Sequence, residues 1–142
     1  MANKDLHHSI KAVVALQPKS VTTNTTTVGE VVDTAGFDSC EFVIATGALA
    51  DAVFVPLVEE CATSGGSYTA VADADLLGTE AGATLAATND ADTAKIGYSG
   101  TMRYVRLSLV STGASGANLI GAVALLGHNR HATAADAQIY AS

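Results

Sequence analysis

Apolar and polar residues alternate along several segments of this chain, and this alternation is the feature that most limits its possible folds. The clearest case is the segment 103–110, which reads RYVRLSLV. Successive side chains of a β-strand point to opposite faces, so such a segment buries one face and exposes the other. The predicted buried face consists of Val105, Leu107 and Leu109, and the opposite face of Tyr104, Arg106 and Ser108.

The segment 39–46 (SCEFVIAT) has the same period of two. Cys40, Phe42 and Ile44 fall on one face and are expected in the core, whereas Glu41 and Val43 fall on the other. Apolar residues do not recur with the period of 3.6 that an amphipathic helix needs. We therefore predict a fold without any helix longer than about two turns.

Other segments rich in β-branched residues predict further strands. These are 10–16, 21–34, 53–60, 68–71, 83–87, 95–98 and 119–126. The threonine-rich segment 21–34 contains Gly29, so it is either one long strand with a bulge or two short strands. Pro56 cannot donate to a ladder, which predicts an edge or a bulge in its strand. The segment 72–92 is rich in Ala, Asp, Gly and Thr and predicts a long, partly irregular connection.

The length of 142 residues suits one domain with a single core. About eight antiparallel strands with turn signals between them predict an all-β, single-domain β-sandwich or jelly-roll with extended termini. We place an N-terminal arm at 1–9, the sandwich domain at 10–127 and a C-terminal tail at 128–142.

The chain is acidic, with 7 Lys and Arg against 14 Asp and Glu and a net charge of −7. It has no cluster of basic residues, which argues against binding to nucleic acid or to an anionic membrane surface. The chain contains no run of 18 apolar residues, so no transmembrane helix is predicted. The first residues, MANKDLHHSI, lack the features of a signal peptide, so we expect synthesis in a cytoplasm without secretory export.

Four histidines form two pairs, His7 with His8 and His128 with His131. Four imidazoles could bind zinc if the two termini met in space. However, adjacent histidines in a strand point to opposite faces, which separates one pair. We expect solvated side chains on polar arms and no metal site.

Two pairs of carboxylates have the spacing i, i+2: Asp73 with Asp75, and Asp90 with Asp92. Neither pair is followed by the glycine and the distant glutamate of a calcium-binding loop, so both are expected to accept local backbone hydrogen bonds. The chain has no G-x-S-x-G motif, P-loop or G-x-G-x-x-G motif. We predict no enzyme activity, no catalytic residue and no cofactor.

The two cysteines, Cys40 and Cys61, are too few for a disulfide framework and too far apart for a paired-cysteine zinc site. We expect two buried free thiols. A disulfide would require the two residues to lie on neighbouring strands in an oxidising compartment.

Several segments together resemble the small cement, or decoration, proteins of tailed-phage heads. They are 37–51 (FDSCEFVIATGALAD), 54–78 (FVPLVEECATSGGSYTAVADADLLG), 95–110 (KIGYSGTMRYVRLSLV) and the apolar strand 119–126. The resemblance covers 37–126, and Gly66-Ser67 stands where many relatives have an Asp-Gly turn.

This resemblance implies a structural virion protein of the capsid exterior, made in the host cytoplasm. Its partners would be the major capsid protein and further copies of itself, with a homodimer favoured over a homotrimer because two-fold symmetry is the commonest. The terminal arms and the segment 72–92 would carry contacts to neighbouring capsid subunits.

Two other classes remain open at the level of sequence. A phage tail-tube or head–tail connector protein would also have a β-sandwich core and long loops. A carbohydrate-binding jelly-roll of the discoidin type resembles this chain at 103–107 (RYVRL), but it would need exposed aromatic side chains in a loop cleft, and this chain has no Trp and only four Tyr.

Overall fold

The computed structural model describes residues 5–129, which form ten strands and two short 3-10 turns. The strands are β1 (Ile10–Val21), β2 (Thr26–Val28), β3 (Val32–Asp33), β4 (Phe37–Leu49), β5 (Val53–Cys61), β6 (Thr69–Ala70), β7 (Leu76–Leu77), β8 (Thr93–Tyr98), β9 (Tyr104–Thr112) and β10 (Asn118–Asn129). The 3-10 turns are His7–Ser9 and Asp73–Asp75. The described chain holds no helix long and apolar enough to cross a membrane.

The strands form two antiparallel sheets that pack face to face. Sheet A has the order β1-β10-β4-β8-β7, and sheet B has the order β2-β9-β5-β6 with β3 also paired to β9. With β2 and β3 counted as one interrupted strand, each sheet alternates early and late strands of the chain, as a jelly-roll does. The predicted all-β sandwich is thus confirmed, and its order is that of a jelly-roll.

The threonine-rich segment forms two short strands, which decides between the two alternatives left open by the sequence. The break lies at Gly29, where a Cβ atom would stand 2.1 Å from the carbonyl oxygen of Leu107 and 2.4 Å from that of Ala15. The next residue, Glu30, donates its backbone N–H to the Ala15 oxygen at 2.8 Å. Only glycine allows this close approach, which joins β1 of sheet A to the edge of sheet B.

The core lies between the sheets and is built from the predicted faces. Phe42 and Ile44 of β4 and Val105, Leu107 and Leu109 of β9 are all buried. Ser108 lies on the opposite face of β9 and is also buried, and its hydroxyl is satisfied because it donates to Oε1 of Glu59 at 3.0 Å. The alternation that predicted these two strands therefore also predicted which side of each faces the core.

Pro56 lies at an open position of β5, as expected for a residue without an N–H. It pairs with Leu109 of β9 on one side, while β6 reaches only Glu59 and Glu60 on the other. The neighbouring outward backbone groups are satisfied by the connection 72–92: Phe54 exchanges two hydrogen bonds with Leu85. Val58 donates its N–H to Oε1 of Glu80 at 3.2 Å.

Some elements differ from the sequence prediction. The strand expected at 83–87 is a single bridge between Leu85 and Phe54, and β7 was not expected. The N-terminal residues 5–9 include a 3-10 turn where an extended arm was expected, and β10 continues to Asn129. The segments 1–4 and 130–142 lie outside the described residues.

Candidate functional site

The outer face of sheet A carries several exposed apolar side chains. On this face Val123 of β10 lies opposite Val14 of β1 and Val43 of β4. Leu125 lies between Ala12 and Glu41 in the next outward row. We call the outward residues of β1, β10, β4 and β8 the sheet A face; they are Ala12, Val14, Pro18, Leu119, Gly121, Val123, Leu125, Glu41, Val43, Ala45, Gly47, Thr93, Lys95 and Gly97.

Three large side chains of the sheet A face are strongly exposed: Val14 at 50%, Leu119 at 46% and Val123 at 40%. They border a shallow apolar groove of about 570 Å³ with Lys19 at its margin. Pro18 packs over Gly121, where a Cβ atom would stand 3.1 Å from its ring. The missing side chain lets the bulged part of β1 lie flat against β10, so the face is smooth as well as apolar.

The sheet A face holds few charges for so acidic a chain. Lys95 and Glu41 are its charged residues, and Lys19 stands at the margin of the groove. Burial raises the pKa of the Glu41 carboxyl, and the charge of Lys95 partly offsets this effect. The face therefore has no excess of negative charge.

A second groove, of about 600 Å³, continues from Leu125 toward the N-terminal turn. It is lined by exposed Leu6 and Leu77 and brings His8 and His128 to the same groove. This happens because β1 and β10 pair at Ile10 and Gly127. The N-terminal 3-10 turn and the end of β10 thus meet, as a zinc site would have required.

The histidines nevertheless have other partners. Nδ1 of His8 lies 2.7 Å from the Asp5 carboxylate, and Nδ1 of His128 lies 2.7 Å from the Ser39 hydroxyl. His7 is exposed on the 3-10 turn, and His131 lies outside the described residues. Within 5–129, no three His, Cys, Asp or Glu side chains are grouped in a way that could hold a metal ion.

Of the two carboxylate pairs, Asp90 and Asp92 accept backbone hydrogen bonds. Asp90 accepts the N–H of Leu49 at 2.8 Å, and Asp92 accepts the N–H of Thr93 at 2.8 Å. The Thr46 hydroxyl donates to the backbone oxygen of Asn89 at 2.6 Å. The contacts of Asp90 with Leu49 and of Thr46 with Asn89 attach the 72–92 connection to β4. Asp73 and Asp75 lie in the second 3-10 turn.

The aromatic side chains on the outer face of sheet B are covered by arginines. Arg106 stacks 4.3 Å above the ring of Tyr68 and pairs with Glu59 at 3.1 Å. Arg103 lies 5.0 Å from the ring of Tyr104 and pairs with Asp33 at 2.9 Å. A sugar ring would need these aromatic faces free, so the arrangement does not favour the carbohydrate-binding alternative.

The two cysteines differ from the expected pair of buried thiols. Cys40 of β4 is buried in sheet A, and burial raises the pKa of its thiol to about 12. Cys61 ends β5 in sheet B and is only partly buried, because strand β5 ends there at the margin of the sandwich. Both are free, and they lie on different sheets.

Sequence reasoning did not identify the buried amide of Asn118. Its Oδ1 accepts the backbone N–H groups of Asp51 and Ala52 at 3.1 and 3.0 Å. Its Nδ2 donates to the Val21 oxygen at 3.0 Å and to Oδ1 of Asp51 at 3.1 Å. These contacts tie the ends of three strands together, so the role of this residue is structural; its only sequence signal is an Asn that opens an apolar strand.

The candidate functional sites of residues 5–129 are therefore surfaces and not a cluster of reactive side chains. Exposed apolar side chains of the described chain lie on the sheet A face, at Leu6 and Leu77 of the second groove, and at the β2–β3 edge of sheet B, where Val28 and Val31 are exposed. Comparison with known proteins identifies no family, since no family model and no curated protein matches the chain.

Proposed function

We propose that this chain is a cement, or decoration, protein that binds the outer surface of a tailed-phage capsid and bridges neighbouring major capsid proteins. The observation that carries the proposal is the presence of exposed apolar side chains on both sheets of one rigid sandwich. A bridging protein needs at least two contact surfaces that a stiff body holds apart. The sheet A face supplies one such surface.

The second surface lies along the edge of sheet B. Val28 of β2 is 54% exposed, Val31 before β3 is 42% exposed and Met102 before β9 is 40% exposed. Exposed apolar residues that gather along one edge are typical of a protein–protein contact. We assign this β2–β3 edge to the contact with the capsid protein.

Repetition on a lattice strengthens such modest contacts. Each copy binds weakly through a small apolar area, but linked copies that engage several capsid subunits gain avidity. We therefore propose a homo-oligomer on the capsid exterior, with a homodimer as the first choice and a homotrimer as the second. The segments 1–9 and 128–142 and the connection 72–92 are further candidates for lattice contacts.

The test is a binding assay with purified phage heads that lack this protein. We expect the intact chain to cosediment with heads to a saturating ratio and to raise their melting temperature. Val31→Lys should lower the affinity by about tenfold, since a buried charge at a contact costs more than 1.4 kcal/mol. Ala62→Lys places the same charge at an exposed position in the turn between β5 and β6, outside all of the proposed contacts, and is the control.

Separate deletions of 1–9 and 128–142 test the arms. Unchanged binding by both truncated chains would remove the arms from the proposal. If the intact chain does not bind heads, the cement function is wrong, and assembly into rings or tubes in the absence of heads would favour the tail-tube alternative instead.

A further inference from the structure

We infer that the sheet A face is the interface of a two-fold dimer, in which a second copy of this chain packs its own sheet A face against the first. The inference deepens the proposed function and rests on it, although the dimer itself is measured on the free protein. The charge, the area and the shape of the face support this dimer.

Charge favours a second copy at this face over any other part of the surface. Two chains with a net charge of −7 repel each other wherever their acidic surfaces meet. Of the thirteen Asp and Glu residues in the described chain, Glu41 is the one that lies on the sheet A face. Lys95 and Lys19 stand on or beside the same face, so two such faces meet without a negative excess.

The area of the face suits a stable dimer. The strands β1, β4 and β10 have 12, 13 and 12 residues, and β8 has six. With strands ~4.8 Å apart and a rise of ~3.4 Å per residue, these strands cover roughly 700 Å². A standard interface buries about 800 Å² on each partner, so a single pairing of the two faces is of sufficient size.

The shape of the face permits close packing of one sheet on another. Val14, Val43 and Val123 form one row across the face, and Gly47, Gly97 and Gly121 keep the face flat on either side of this row. Sheets pack ~10 Å apart when side chains from the two faces interdigitate. Stacking two copies in this way places Val123 near the centre of four layers of sheet and leaves the β2–β3 edges pointing away from the dimer.

The experiment measures the mass of the full chain in solution by light scattering and sedimentation over a range of concentrations. We expect about twice the 14.3 kDa mass of one chain, with dissociation on dilution. Val123→Lys and, as a second variant, Val14→Lys should each weaken the dimer by about tenfold or more, because a charge would be buried at its centre. Circular dichroism and melting curves establish that each variant is folded.

Val28→Lys is the matched control, since it places the same charge on the other sheet, at a valine that is 54% exposed against 50% for Val14 and 40% for Val123. We expect it to remain dimeric and to lose affinity for heads, whereas Val123→Lys becomes monomeric. A wild-type chain that is monomeric at every concentration overturns the inference. So does a folded Val123→Lys that dimerises as tightly as the wild type.

Two further outcomes identify a different occupant and also overturn the inference. If the wild type is monomeric and Val123→Lys loses affinity for heads, the sheet A face binds the capsid protein. If the chain dimerises only after removal of 130–142, its own C-terminal segment covers the face. Failure of head binding by a protein that does dimerise would reject the cement function and leave the dimer interface in place.

Discussion

The hydroxyl of Tyr98 donates a hydrogen bond to Oε2 of Glu60 at 2.5 Å and thereby joins sheet A to sheet B. The same hydroxyl accepts the backbone N–H of Met102 at 2.9 Å, which fixes the turn between β8 and β9. Burial and the bond to Glu60 raise the pKa of the phenol, so it keeps its proton at physiological pH. Gly100 leaves room for the ring, since a Cβ there would lie 2.6 Å from the hydroxyl.

Tyr98→Phe should lower the free energy of unfolding by about 1–2 kcal/mol, because Glu60 and the Met102 N–H both lose a partner. Denaturant unfolding checks this value. The control is Tyr68→Phe, which removes a hydroxyl that donates to the Ser64 oxygen on an exposed turn and should cost less than about 0.5 kcal/mol. Equal losses in the two variants would contradict a role in joining the sheets.

Leu107→Ala should lower the free energy of unfolding by about 2–4 kcal/mol, the usual cost of a cavity in a packed core. Leu107 is fully buried near the middle of β9. Leu77→Ala, at a leucine that is 57% exposed, is the matched control and should change stability by less than about 0.5 kcal/mol. A loss below about 0.5 kcal/mol at Leu107 would mean that its face is not the core face.

Asp51 makes stability depend on pH in the acid range. Hydrogen bonds from Ser115, Asn118 and Gly116 lower the pKa of its carboxyl from 3.8 to about 2. A lowered pKa in the folded state adds stability above pH 3.8, and this contribution is lost as the pH falls toward 2.

Asp51→Asn should therefore melt at a lower temperature than the wild type at pH 7, and the gap between the two should shrink between pH 4 and pH 2. Thermal melts across this range measure the gap. Asp73→Asn, which makes the same change at an exposed carboxylate in the second 3-10 turn, serves as the comparison. A gap that stays constant down to pH 2 would show that the Asp51 hydrogen bonds do not depend on its charge.

The thiols should react at very different rates. In the native protein a thiol reagent should modify Cys61, which is partly exposed, well before Cys40, whose burial raises its pKa to about 12. We expect one fast equivalent in the wild type and none in Cys61→Ser. In denaturant both thiols of the wild type should react at similar rates. The native Cys40→Ser variant should still react fast, which assigns the fast thiol to Cys61.

Local alternation predicted the strands whose two faces differ. β4 and β9 have one apolar and one mixed face, so period two marked both the strand and its buried side. β7 has only two residues, Leu76 and Leu77, and Leu85 makes a single bridge to β5. Elements this short contain no repeating pattern, and they are extended only because they pair with β8 or β5.

The polar contacts that hold the ends of the sandwich could not be predicted from the chain. Asn118 contacts Asp51 across 67 positions, and Tyr98 contacts Glu60 across 38. Neither pair has a local pattern, because the partners meet only after the sheets have formed. The sheet A face could not be predicted from an alternation either, because the segment 119–126 is apolar throughout, whereas β10 buries only its inner side and exposes Leu119 and Val123.

The arrangement around Pro56 has a consequence for how copies of this protein can associate. An open strand edge invites another chain to add to it, and such addition can repeat without limit into fibrils. Here β5 offers no continuous row of free donors and acceptors: Pro56 has no N–H, while Leu85 and Glu80 already occupy its two neighbouring positions. Growth of sheet B through β5 is blocked, so this long strand cannot act as a template on which further copies add without limit.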